Sequence, residues 1–378
     1  MNPFPPLSAR WCSSTLALGL AALAVASWPQ PASSADLRTK KLIEFGWDEP
    51  DTAFLRAHIA EMQQTPFDGC VFHANMKQPD GKKGSFTWDS WGDQAFTEAD
   101  LAEAFADLRA TRFSRFKENF LRFNTTPAKL DWFDDHTAVL QNAKLAAQLA
   151  RAGHCPGILF DIEQYNAPLF DYRKQRDAKT KGWEVYAAQV RLRGRQVMEA
   201  FQEGSPNLTV FLTFAYSLPW LESYSGKGSL ADCHYGLLAP FVDGMIEAVK
   251  GRTRIVDGHE ISYGYKTAAQ FETARKTMLD GLLPVVRDPK KYREVISVGF
   301  GIWLDHDWRK TGWDTNDFSK NYFSPEALET SVRAALQTAD EFVWVYSETP
   351  RWWSEEGKPV KLPVAYTDAL RQARRPAP

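Results

Sequence analysis

The segment GILFDIEQYNAP, residues 157–168, closes an apolar run with two carboxylates, Asp161 and Glu163, and places Tyr165 two residues further on. In an extended chain successive side chains alternate faces. Leu159, Asp161 and Glu163 therefore point to one side, and Phe160 and Ile162 to the other. Two acids presented to one compartment at the end of a strand suit proton-transfer chemistry. One carboxyl, its pKa raised by its surroundings, protonates a leaving oxygen. A second attacks, orients a water, or stabilises the positive charge that develops.

What positions these acids is an alternation of short apolar runs with longer helical patterns. Strands are expected at 41–47, 69–73, 119–123, 157–163, 209–215, 241–247, 295–303 and 341–348. Helical patterns fall at 51–63, 97–109, 134–151, 183–203, 267–284 and 325–338; Ser324 and Pro325 form a cap and first-turn pair for the last. Eight strand–helix units in one chain predict a closed (β/α)8 TIM barrel with long, aromatic-rich βα loops, occupying 36–378 as a single domain. The segment TRIVDGHEISYGY (253–265) is a ninth candidate strand. It reads as an extension of the sixth βα loop, or as the start of the seventh strand.

A barrel carries its working residues at the C-terminal ends of its strands. In chain order those ends present Glu44 and Trp47, His73, Arg122 and Asn124, Asp161 and Glu163, Tyr216, Glu247, Trp303 and Asp305, and Tyr346 and Glu348. Nearly every strand thus ends in a polar or aromatic group, which points to a polar cleft. Three carboxylates compete as partner to Glu163: Glu247 first, then Glu260, which follows His259 and precedes Tyr263, then Glu348. Arg122 is expected to hold one acid ionised. Trp352 belongs to the aromatic stretch TPRWW.

Composition narrows the chemistry. The chain carries 45 basic and 47 acidic residues, a balance that gives no reason to expect nucleic acid or an anionic membrane as partner. Its 24 Phe, 14 Trp and 12 Tyr often lie beside acids and amides in non-periodic stretches, as in FTWDSWGDQAF (86–96) and DHDWRKTGWDTNDF (305–318). Such rings suit the apolar faces and hydroxyl edges of sugars, though loops pinned by their own aromatics account for part of them. There is no G-x-S-x-G nucleophile turn, no H-x-x-x-H metal pair and no Gly-rich phosphate turn after the first strand. No metal and no cofactor is expected. Residues 1–35 read as a cleaved secretory signal: Arg10, an apolar stretch from Leu16 to Ala26 too short to span a bilayer, and small residues ending at Ala35. A secreted or periplasmic protein without membrane insertion follows. Cys70, Cys155 and Cys233 are expected as buried free thiols.

Strand 4 ending in D-x-E resembles the family 18 chitinases and related endo-N-acetylglucosaminidases, whose longer acidic motif ends in D-x-E. The resemblance implies Glu163 as proton donor and Asp161 as the electrostatic partner that helps hold the substrate's acetamido group. It covers one strand and the general barrel plan, and the upstream acidic positions of that motif are Gly157 and Leu159 here. The glycosidase clan with Asn-Glu on strand 4 fits less well, because Ile162 precedes Glu163. The expectation is a glycoside hydrolase acting on a polysaccharide or glycan, with the remaining strand-end residues, Tyr165, His259, Tyr263 and Trp352 as sugar ligands. Two alternatives are a non-catalytic carbohydrate-binding barrel, and a metal-dependent sugar isomerase or lyase using Glu163, His73, His259 and Asp305.

Overall fold

The computed structural model describes residues 37–78, 81–354 and 358–375; the proposed signal segment lies outside them. Eight parallel strands run β1 (Lys41–Gly46), β2 (Gly69–Phe72), β3 (Phe120–Asn124), β4 (Gly157–Asp161), β5 (Thr209–Leu212), β6 (Arg254–Asp257), β7 (Ile296–Val298 and Phe300–Trp303) and β8 (Phe342–Ser347). Each strand pairs with its sequence neighbours, and β8 pairs with β1. The two segments of β7 stand at opposite ends of this ladder, one against β6 and the other against β8, so the sheet closes through Gly299. This is the (β/α)8 barrel.

The outer helices are α1 (Thr52–Met62), α2 (Ala102–Ala110), α3 (Thr137–Ala152), α4 (Trp183–Gly204), α5 (Leu238–Ala248), α6 (Ala268–Lys276), α7 (Pro325–Thr338) and α8 (Val364–Ala373). Asp51 caps α1 by accepting from the Phe54 amide at 2.8 Å. Ser324 caps α7 by accepting from the Ala327 amide at 3.2 Å, with Pro325 in the first turn. Among the described residues no helix is long and apolar enough to cross a membrane.

One element differs from the sequence reading. Residues 241–247 lie inside α5, and the sixth strand is Arg254–Asp257, within the segment read as a loop extension. A short apolar run is compatible with either a buried strand or a buried helix, and here packing decides. Gly244 of α5 faces the Arg191 carbonyl of α4, and Gly194 of α4 faces the Phe241 carbonyl of α5. A Cβ at either glycine would come within 1.9 and 2.0 Å of those oxygens. The two helices therefore meet backbone to backbone.

Inside the barrel, alternation sends Ile43, Phe45, Val71, Phe120, Leu159, Phe211, Val256, Phe342 and Trp344 inward as a separate apolar core. Phe120, Phe211 and Phe342 form its lower layer with ring centroids 5.5–5.7 Å apart. Above it Tyr263 and Tyr346 stack at 5.6 Å and close the floor beneath the mouth. The opposite strand faces pack against the helices in a larger core that takes in Trp91, Trp132, Trp352 and Trp353. Those loop tryptophans hold the loops down and do not face the mouth. Cys70, Cys155 and Cys233 are buried free thiols.

Candidate active site

Asp161 is the last residue of β4 and its side chain is buried. Arg122 of β3 binds it through both Nε, at 3.1 Å, and Nη2, and the Tyr165 hydroxyl donates to the same Oδ2 at 3.0 Å. Its Oδ1 accepts from the Glu163 amide at 3.1 Å, which fixes the turn that presents Glu163. Arg122 reaches in the other direction to Glu49 at 2.8 Å, and its guanidinium lies over Phe45 and Trp88 at 5.2 and 5.0 Å. His73 Nδ1 stands 3.7 Å from Glu49. Asn124 is buried on the inward face of β3, paired in register with Asp161, and neither polar atom of its amide has a partner.

Glu163 meets Glu260, the first residue of the turn Glu260–Gly264 after β6, and the two carboxyls lie within hydrogen-bonding reach of each other. Burial pushes Glu163 up to about 7, helped by the charge of Asp161 and opposed by hydrogen bonds and by Arg122. Burial, then the charge of Glu163, holds Glu260 well above the ordinary carboxyl range. Two buried acids in contact cannot both ionise at neutral pH, so they hold a proton between them. Tyr263 faces Glu260 from below, and Tyr235 and Tyr346 complete the wall.

The rim is aromatic. Trp303 lies edge-on to Tyr263 and Tyr346, both at 5.7 Å, and Trp47 is 54 % exposed. Arg309 lies among Trp308, Trp303 and Trp47 at 4.9, 5.9 and 6.0 Å and pairs with Glu348. On the opposite arc Trp88 meets Tyr165 at 5.3 Å.

Of the residues singled out from sequence, Asp161, Glu163, Glu260, Arg122, Asn124, Tyr165, Tyr263, Trp303, Tyr346, Trp47 and His73 converge on the mouth or its wall. Others do not. Glu247 sits on α5, 3.7 Å from Arg191 and 3.8 Å from Arg287, because its segment is a helix. Glu44 alternates outward with Leu42 and is buried behind β1 against Asp48, where burial and the Asp48 charge raise it well above its ordinary range. Tyr216 also turns outward, donating to Asp243 of α5 at 2.7 Å. His259 is buried in a left-handed backbone conformation, its Nδ1 3.0 Å from the Ser217 hydroxyl. Trp352 packs edge-on against Phe67 in the outer core at 4.7 Å. Asp305 accepts from Trp303 Nε1 and from the Glu348 and Thr349 amides at 2.8–3.0 Å, tying two loops together. Glu348 is held by Trp308 Nε1 at 2.9 Å and by Arg309. The mixed ligand set of Glu163, His73, His259 and Asp305 is thereby dispersed. Among the described residues no group of three or more His, Cys, Asp or Glu is arranged to hold a metal.

The sequence reading missed Glu49, Trp88, Tyr235, Trp308 and Arg309. Trp88, Trp308 and Arg309 lie in the aromatic–acidic stretches noted above. Glu49, three residues beyond β1 in GWDEPD, lies past the strand end, outside the alternation that marks strand-end residues.

No family model matches the chain, and no curated protein matches it in sequence. Among solved structures it is similar to a GH18 chitinase from Pseudoalteromonas aurantia, at 10% identity over 88% of this chain and 99% of that chain, TM-score 0.44. It is similar also to a GH5-4 broad specificity endoglucanase from an uncultured bacterium, at 13% identity over 87% and 86%, TM-score 0.46. A hyperthermophilic endocellulase from the archaeon Pyrococcus horikoshii aligns at 7% identity over 89% and 92%, TM-score 0.42. These neighbours are glycoside hydrolases, and at such identities the likeness is one of fold alone.

Proposed function

We propose that the protein is a glycoside hydrolase in which Glu163 is the general acid and Glu260 its partner carboxylate. The observation that carries this is the contact between the two carboxyls at the C-terminal mouth, both raised by burial and set among aromatic side chains. A pair holding one proton supplies a carboxylic acid and a carboxylate together. Glycosidic cleavage needs both: the acid protonates the bridging oxygen and the anion supports the oxocarbenium-like centre. Asp161, ion-paired with Arg122, adds a fixed negative charge beneath that centre. Trp47, Trp303, Trp88 and Tyr165 offer ring faces and edges to a polysaccharide or glycan.

The test is reducing-end release from a panel of polysaccharides that includes amino-sugar polymers, comparing the native protein with Glu163→Gln. Turnover by the native protein and a loss of about a hundredfold or more in the variant is the expected result. Equal binding of sugars by both proteins, with turnover by neither, would make this a carbohydrate-binding barrel.

A further inference from the structure

We propose that Glu49 is a positioning residue of the Glu163–Glu260 pair, acting through Arg122 and Asp161. The inference rests on reading that pair as the acid and its partner. Arg122 carries one positive charge and is bound by two carboxylates, Glu49 through Nη1 at 2.8 Å and Asp161 through Nε and Nη2. The three side chains are nearly withdrawn from water, at 11, 10 and 1 % exposure for Arg122, Glu49 and Asp161. Phe45 and Trp88 on the guanidinium prevent it from swinging out to solvent. A single ion pair would neutralise Asp161. A second buried carboxylate on the same arginine adds a desolvation cost that one pair does not require.

What Glu49 changes is the field at the acids. It draws part of the Arg122 charge away from Asp161, so Asp161 presents more of its negative charge to Glu163. Its second oxygen, Oε1, is buried, has no hydrogen-bond partner and faces His73. The groups facing Glu163 are Asp161 and Tyr165 from the end of β4, Arg122 from β3, Tyr235 from the loop after β5, Glu260 and Tyr263 after β6, and Tyr346 from β8. Arg122 is the cation of that set, and Glu49 is bonded to it without touching Glu163. Removing the Glu49 charge leaves Arg122 acting undivided on Asp161 and Glu163, and the Glu163 proton leaves more easily. Removing the Arg122 charge does the opposite.

The experiment is a carboxyl ¹³C NMR titration of the full chain as native protein, Glu49→Gln and Arg122→Gln, with Glu163→Gln assigning the resonance. It needs no substrate. We expect Glu49→Gln to lower the Glu163 midpoint by roughly half a pH unit and Arg122→Gln to raise it. The basic limb of the kcat/KM profile moves with each, while KM for Glu49→Gln stays within about twofold. Glu49→Asp, which keeps the charge but is one methylene shorter and so holds it farther from Arg122, is the second variant and gives a smaller downward shift. Midpoints for both Glu49 variants equal to that of the native protein overturn the proposal. If the midpoints move as expected but no glycan is cleaved, the glycosidase reading fails and the positioning of the pair stands.

Discussion

At the scale of single residues, Glu163 is the group whose charge state sets the chemistry. As a general acid it works only while protonated, and burial with the Asp161 charge brings its titration up to about 7. The sign follows directly. Activity limited by this acid holds below about pH 7 and falls as pH rises through it. The pH dependence of kcat/KM on a cleaved glycan is therefore expected to show a basic limb near neutrality, and a flat profile between pH 6 and 8 would remove Glu163 from the role. Glu260→Gln deletes the partner carboxylate; we expect a loss of about a hundredfold or more in kcat/KM. Both positions lie on short turns just beyond strand ends, where the backbone is held by Asp161 accepting the Glu163 amide and by the Thr213 carbonyl accepting the Glu260 amide at 3.1 Å.

At the scale of elements, the position of Glu260 depends on β6 being Arg254–Asp257, and that depends on α5 being a helix. Gly244 is what lets α5 settle against α4. A methyl there meets the Arg191 carbonyl at 1.9 Å, and a backbone atom cannot turn aside as a side-chain tip can. Gly244→Ala is expected to cost about 3 kcal/mol in urea unfolding, despite the better helix propensity of alanine, because the helices must separate. A change within about 0.5 kcal/mol would mean that the α4–α5 contact yields freely. The same elements explain Tyr216 and Asp243: a tyrosine beyond β5 turns outward to α5, so its hydroxyl serves the helix layer and not the mouth.

At the scale of the whole molecule, acids withdrawn from water shape stability as well as activity. Burial raises Glu44 well above its ordinary range, and lifts Asp243 to about 6 and Asp257 to about 7; Glu163 and Glu260 are raised as well. Unfolded, these groups titrate near 4. Between about pH 4 and 7 these acids bind more protons in the folded chain than in the unfolded one, which makes stability fall as pH rises. His259, lowered by burial to about 4, and the lowered His136 and His306 oppose them in part of that window but are fewer. Acids such as Asp51 and Asp134, lowered by bonds to Lys83 and Arg176, pull the other way only at lower pH and with more exposed side chains. The unfolding free energy in urea is expected to be greater at pH 5 than at pH 8, and Glu44→Gln to shrink that difference. A stability that rises from pH 5 to pH 8 would contradict this account.

Much of this molecule was legible in the sequence, because strand alternation and helical periodicity are local. The barrel, the strand ends and the shared facing of Leu159, Asp161 and Glu163 follow from residues a few positions apart. Arg122 and Tyr165 could be singled out because polar groups at the ends of apolar runs are costly unless they are used. Three things were decided only by tertiary structure. A run such as FVDGMIE, apolar with one central glycine, is consistent with strand or helix until a neighbouring backbone comes close enough to need that glycine. Once it folds as α5, Glu247 leaves the site and Glu260 enters. Glu44 and Tyr216 are polar and near strand ends like the true wall residues, but the pleat of β1 turns Glu44 outward, and Tyr216, past the end of β5 in a helical backbone conformation, turns to α5. The bond from Glu49 to Arg122 joins residues 73 positions apart; no local pattern encodes it, and closing the sheet brings them together.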